Sequence, residues 1–112
     1  MEEIWRDING YDGLYQVSNT GKVRGVKRGA LLRMRNRSCG CRVYLSKNGY
    51  ATTHNVHRLV ATAFVPNPEN KRYVGHKNGD RLDNTANNIC WCTWHEKRKL
   101  IKNKEVKNVI RN

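Results

Sequence analysis

The stretch from Tyr73 to Glu96, YVGHKNGDRLDNTANNICWCTWHE, constrains this chain more than any other. A histidine leads into a loop rich in Gly and Asn, followed by Asn87-Asn88-Ile89 and an aromatic run. Gly79-Asp80 and the surrounding Asn residues favour turns and left-handed backbone. The flanks, Tyr73-Val74 and Ile89-Cys90-Trp91-Cys92, carry the β-branched and aromatic side chains of short strands. Thr93 is a good N-cap, and Glu96 three residues on completes a capping box. The expected unit is therefore strand, loop, strand, helix.

That order resembles the HNH, or ββα-metal, endonucleases, in particular the phage and intron homing group. The resemblance rests on His76, Lys77-Asn78-Gly79-Asp80, Asp83-Asn84, Asn87-Asn88-Ile89 and Trp91-Cys92-Thr93. It implies a catalytic pair: His76 as general base for the attacking water, and Asn88 as the amide that braces the loop. A positioned neutral imidazole can do the base's work. The resemblance also implies a divalent metal, Mg²⁺ or Mn²⁺, to stabilise the scissile phosphate and the leaving oxygen. Such hard cations take oxygen ligands. In the homing group one ligand immediately precedes the histidine and another lies on the following helix. The matching positions here are Gly75, which has no side chain, and Lys97, a cation. His95, Glu96 and Asp80 remain as candidate metal ligands, with Asp83 beside them.

Charge points the same way. The chain carries 22 Lys and Arg against 9 Asp and Glu, a formal charge of +13 over 112 residues. Such a surface attracts polyanions, and each phosphate contact releases counterions. Double-stranded DNA is the expected partner; a ribosome-associated or RNA-binding role rests on charge alone. The length suits one domain, or two small modules sharing a modest core. No apolar run approaches the roughly 20 residues that span a bilayer, and no hydrophobic signal segment follows Met1. A cytoplasmic setting, in a bacterial or phage-infected cell, is expected, with no membrane partner.

Upstream, Asn9-Gly10, Asp12-Gly13 and Asn19-Thr20-Gly21 signal turns. Leu14 to Val17 and Lys22 to Arg24 alternate as short strands do, around a hairpin at residues 18–21. Trp5, Ile8, Gly10-Tyr11, Gly13, Tyr15-Gln16-Val17-Ser18-Asn19, Gly21 and Val23-Arg24 resemble the NUMOD4 module, which implies a small DNA-contacting sheet. Packing gives a compatible reading: Trp5, Tyr11, Tyr15 and Val17 form a mini-core while Lys22, Arg24, Lys27 and Arg28 face out. Residues 26–40 contain no acid, and Leu31, Leu32 and Met34 interleave with Arg33, Arg35 and Arg37. A strand or extended arm with one basic face would lie along a phosphate backbone.

Asn48-Gly49 signals a type I′ hairpin between strands at 41–46 and 50–54. Val56 to Val65 has helical spacing, with Asn55 as N-cap and Pro66 and Pro68 as stops. The string His57-Arg58-Leu59-Val60-Ala61, Ala63-Phe64 and Pro66-Asn67-Pro68 also resembles the homing HNH group. His57 could be a packed or capping side chain, or a ligand. Cys39, Cys41, Cys90 and Cys92 form two Cys-x-Cys pairs. A four-thiolate structural zinc site is one reading. The other is small buried hydrophobes on one strand face, since the usual zinc spacing is wider.

The whole reads as α+β: a small N-terminal antiparallel sheet, a helix, then the ββα unit. Three parts are expected: a NUMOD4-like DNA-contacting module at 1–28, a basic β-hairpin region at 29–55, and the HNH unit with a basic C-terminal helix at 56–112. Relatives commonly continue into a further DNA-binding module, for which this chain leaves no room, so long specific target recognition is not expected. The implied function is metal-dependent hydrolysis of DNA, nicking one strand per centre. The alternative is a lapsed HNH fold that holds DNA or a protein target without cutting, as a regulator or inhibitor.

Overall fold

The structure, a computed structural model, describes residues 2–37 and 40–101. Its architecture is α+β. Strands β1 (Trp5–Asp7), β2 (Tyr15–Ser18) and β3 (Val23–Gly25) form a first antiparallel meander. A second consists of β4 (Arg35–Arg37), β5 (Gly40–Lys47) and β6 (Tyr50–Asn55). Helix α1 (Val56–Phe64) follows directly. Strands β7 (Tyr73–His76) and β8 (Ile89–Cys92) pair antiparallel, with a 3₁₀ turn at Ala86–Asn88 before β8. Helix α2 occupies 94–101.

Local chemistry accounts for most of these boundaries. Asn48 (φ 54°) and Gly49 (φ 81°) both take the left-handed backbone of a type I′ turn. Thr93 and Glu96 close the capping box: the Thr93 N–H donates to Glu96 Oε1 (3.0 Å) and the Glu96 N–H to Thr93 Oγ1 (3.3 Å). Asn55 does precede α1, but its side chain does not cap it; Asn55 Oδ1 accepts from Arg42 Nε at 3.1 Å instead. Strand β7 runs two residues past Val74, because Gly75 pairs with Cys90 and His76 with Ile89. Residues 26–34 are not one extended arm. The chain turns through Gly29 (φ 66°), makes a single bridge from Leu31 to Arg24, and becomes a strand only at Arg35. The expected alternation holds only from Leu32 on: Leu32 and Met34 pack on the core while Arg33 and Arg35 are exposed, and Leu31 is exposed as well.

All three sheets share one core. Val17 and Val23 come from the first sheet, Val43 and Leu45 from the second, and Val74 and Ile89 from the third. Val56, Val60 and Ala61 of α1 lie between them, one helical stripe facing inward. Burying each of these Val, Leu and Ile side chains contributes about 1.5–3 kcal/mol. Tyr11 and Tyr15 pack on this core, edge to face with each other. Trp5 stays half-buried and outside it, with the Arg24 guanidinium 4.1 Å over its ring. Among the described residues no helix is long and apolar enough to cross a membrane.

Candidate active site

Strand β7 ends on His76, which is 8% exposed. Its Nε2 lies 2.8 Å from Asn84 Oδ1. An amide oxygen only accepts, so Nε2 carries the proton and Nδ1 holds the lone pair. Burial lowers the imidazole pKa and outweighs the Asn84 bond, which raises it. The ring is therefore neutral near pH 7, with one nitrogen fixed and one basic.

Asn88 ties together the loop that carries Asn84. Its Oδ1 accepts from the Asn78 N–H (3.0 Å), and its Nδ2 donates to Asn78 Oδ1 (3.0 Å) and to the Asp83 carbonyl (2.8 Å). The Lys77 N–H also bonds to the Asn88 carbonyl at 2.7 Å. The first sheet supports the loop from outside: the Ala86 N–H donates to the Asn19 carbonyl at 2.8 Å. Gly21 sits so close that an added Cβ would be 3.0 Å from Asn84 Cβ and from its carbonyl oxygen.

His57 of α1 packs edge to face on His76, with ring centroids 5.1 Å apart. Burial, followed by the charge His76 could carry, pushes its pKa down to about 4. Its Nδ1 is buried with no hydrogen-bond partner among the described residues. Both rings open on a hollow of about 260 Å³, lined also by Arg81, Lys97, Trp94 and Leu100. No Asp or Glu among the described residues lines it.

The comparisons agree with this geometry. The NUMOD4 motif matches residues 3–53, which run through the first sheet and into the second. The DNA endonuclease I-HmuI of Bacillus phage SP01 is 43% identical over 90 residues, covering 80% of this chain and 52% of that protein. An uncharacterised HNH endonuclease of Acanthamoeba polyphaga mimivirus is 42% identical over 94 residues, covering 84% of this chain and 28% of that one. The chain thus spans about half the length or less of these relatives. A solved structure, described as DNA binding and cleavage by the HNH homing endonuclease I-HmuI, superposes with a TM-score of 0.79 at 35% identity. That match covers 99% of this chain and 67% of the other. The chain belongs to the HNH homing endonuclease family.

The family implies a divalent metal, and the donors present do not fit one at the expected place. A Cβ on Gly75 would lie 2.7 Å from Leu100 Cδ1 and 3.2 Å from Cys92 Sγ, so apolar atoms fill the space of a ligand there. The helix position is Lys97, whose ammonium repels a cation. Of the other candidates, Glu96 is committed elsewhere. Its carboxylate caps α2 and pairs with Lys71 at 3.1 Å, bonds that hold its pKa down at about 2. Asp80 Oδ1 accepts from the Leu82 N–H, and Asp83 accepts from Thr85 and Asn78. His95 is exposed. None of Asp80, Asp83, His95 or Glu96 lines the hollow.

The basic residues divide. Lys22, Lys27, Arg28 and Arg33 are exposed. Arg35 is exposed too, with its guanidinium 5.0 Å over the Tyr44 ring. Arg24 is half-buried and already engaged, donating to Gln16 Oε1 from Nε (3.0 Å) and a terminal nitrogen (2.7 Å). Arg37 lies on β4, but its side chain is outside the described residues. Cys39 is outside them as well. Cys41 and Cys92 are buried, and Cys90 is half-buried; none of the three is in a disulfide among the described residues. Burial raises Cys41 and pushes Cys92 up to about 11, which disfavours the thiolates a zinc ion needs. Cys41 belongs to the second sheet and the other two to the third.

Two residues gained significance only in three dimensions. Asn84 was visible as part of the motif, but nothing in its spacing says that it holds His76. The place of His57 beside His76 depends on how α1 docks across the sheets, which no local pattern encodes.

Proposed function

We propose that this chain binds duplex DNA and hydrolyses a phosphodiester, nicking one strand per centre. The observation that carries the reading is the neutral, buried His76, with Nε2 held by Asn84 and Nδ1 left basic. In this account an attacking water donates to Nδ1, which takes its proton, and Asn88 keeps the loop in place. The division into 1–28, 29–55 and 56–112 follows the same logic: two basic sheets meet the DNA and the third part carries the chemistry. Lys22, Lys27, Arg28, Arg33 and Arg35 contact phosphates, with Arg37 beside them on β4 and Arg24 orienting Trp5 and Gln16. The proposed setting is a bacterial or phage-infected cell.

The test is a duplex labelled on each strand in turn and resolved on a denaturing gel, with Mg²⁺, with Mn²⁺ and with EDTA. Cuts confined to one strand, and absent with His76→Ala, are the expected result. Gly75 and Lys97 favour a second reading, in which the fold holds DNA, or a protein target, without cutting. Duplex binding with neither strand cut under any metal would establish that reading instead.

A further inference from the structure

We propose that the Lys97 ammonium stands where the family places its metal, making the hollow beside His76 a metal-free clasp for a nucleic-acid phosphodiester. This rests on the functional reading that the chain takes duplex DNA, and it holds whether the strand is cut or only held. Two independent observations carry it.

Among the described residues the charged lining is cationic. Lys97 and Arg81 face a hollow that also receives the His57 and His76 rings, and no carboxylate of the described residues enters it. Lys97 is half-buried, lies 6.0 Å from the centre of the Tyr73 ring, and makes no ion pair among the described residues. A compact ammonium on a half-buried stem binds phosphate as a point charge.

The space itself has changed. At the position preceding His76, Leu100 from α2 occupies the volume a ligand side chain would need. Of the two positions that match the family's ligands, one is hemmed in by an apolar atom and the other carries a positive charge. Trp94 and Leu100 leave an apolar wall that suits a sugar better than a hydrated cation.

The test is fluorescence anisotropy with a labelled duplex, in EDTA and in Mg²⁺, using the wild type, Lys97→Ala, Lys97→Arg and Lys27→Ala. Thermal melting confirms that each variant is folded. The wild type should bind equally in both buffers. Lys97→Ala should weaken binding about tenfold and lower the salt slope by about one, with Lys97→Arg recovering most of the loss. If Lys27→Ala weakens binding and Lys97→Ala does not, the clasp is wrong and the DNA reading stands. Binding that needs Mg²⁺, or a stoichiometric Mn²⁺ site found by calorimetry and unaffected by Lys97→Ala, overturns it equally. A wild type that binds no duplex at all overturns the functional reading and the clasp with it.

Discussion

Two imidazoles packed edge to face in a buried site, ring centroids 5.1 Å apart, cannot both hold protons without cost. Burial, and after it the charge on His76, pushes the His57 pKa from 6.5 to about 4. At pH 5 the unfolded chain therefore binds a proton that the folded chain rejects. The stability from a neutral His57 is complete above about pH 6.5 and is lost as pH falls from there toward 4. Melting at pH 5 should occur about 4 °C or more below melting at pH 7, and His57→Gln should shrink that difference. An unchanged difference in the variant would place the pH dependence elsewhere. His76 and Asn88 could be singled out from the sequence, because the loop motif is local and continuous. Asn84 as the partner of His76 could not, since that bond depends on how the loop closes.

The elements meet at an unexpected place. The tip of the first hairpin, Asn19 to Gly21, presses on the loop that carries Asn84. Gly21 has φ 93°, and an added Cβ would meet the Asn84 backbone at 3.0 Å. Gly21→Ala is therefore expected to cost about 1–3 kcal/mol in denaturant unfolding and to displace Asn84 from His76. If the variant keeps wild-type stability and wild-type cutting, the hairpin does not support the loop. At this scale the sequence was mostly legible. Turn residues, the capping box and strand alternation fix the hairpins and α2, because each depends on neighbours a few positions away. The basic stretch is not the strand or extended arm that its alternation suggests, because Gly29 folds it back. The missing Asn55 cap has a similar origin: its side chain serves Arg42 on the adjacent strand, a pairing that only sheet register creates.

For the molecule as a whole, the net charge of +13 rides on a fold whose three sheets share a single core. DNA affinity should therefore fall steeply with salt, by roughly 10³-fold between 50 and 200 mM if six or more phosphates are contacted. Anisotropy titrations at four salt concentrations measure the slope. A flat dependence would contradict phosphate binding by the two basic sheets. How the sheets are arranged around α1 was not readable from the chain, because Val56, Val60 and Ala61 look the same whichever sheet they meet. Fold class and family were readable, because charge, motif and strand order each point to them separately.

The most direct measurement of the central claim is nicking of supercoiled plasmid by the wild type and His76→Ala, side by side, with and without EDTA. The account predicts conversion to open circles by the wild type, little linear product, and no conversion by the variant at matched DNA binding. Open circles produced equally by His76→Ala would contradict it, because the base would then lie elsewhere.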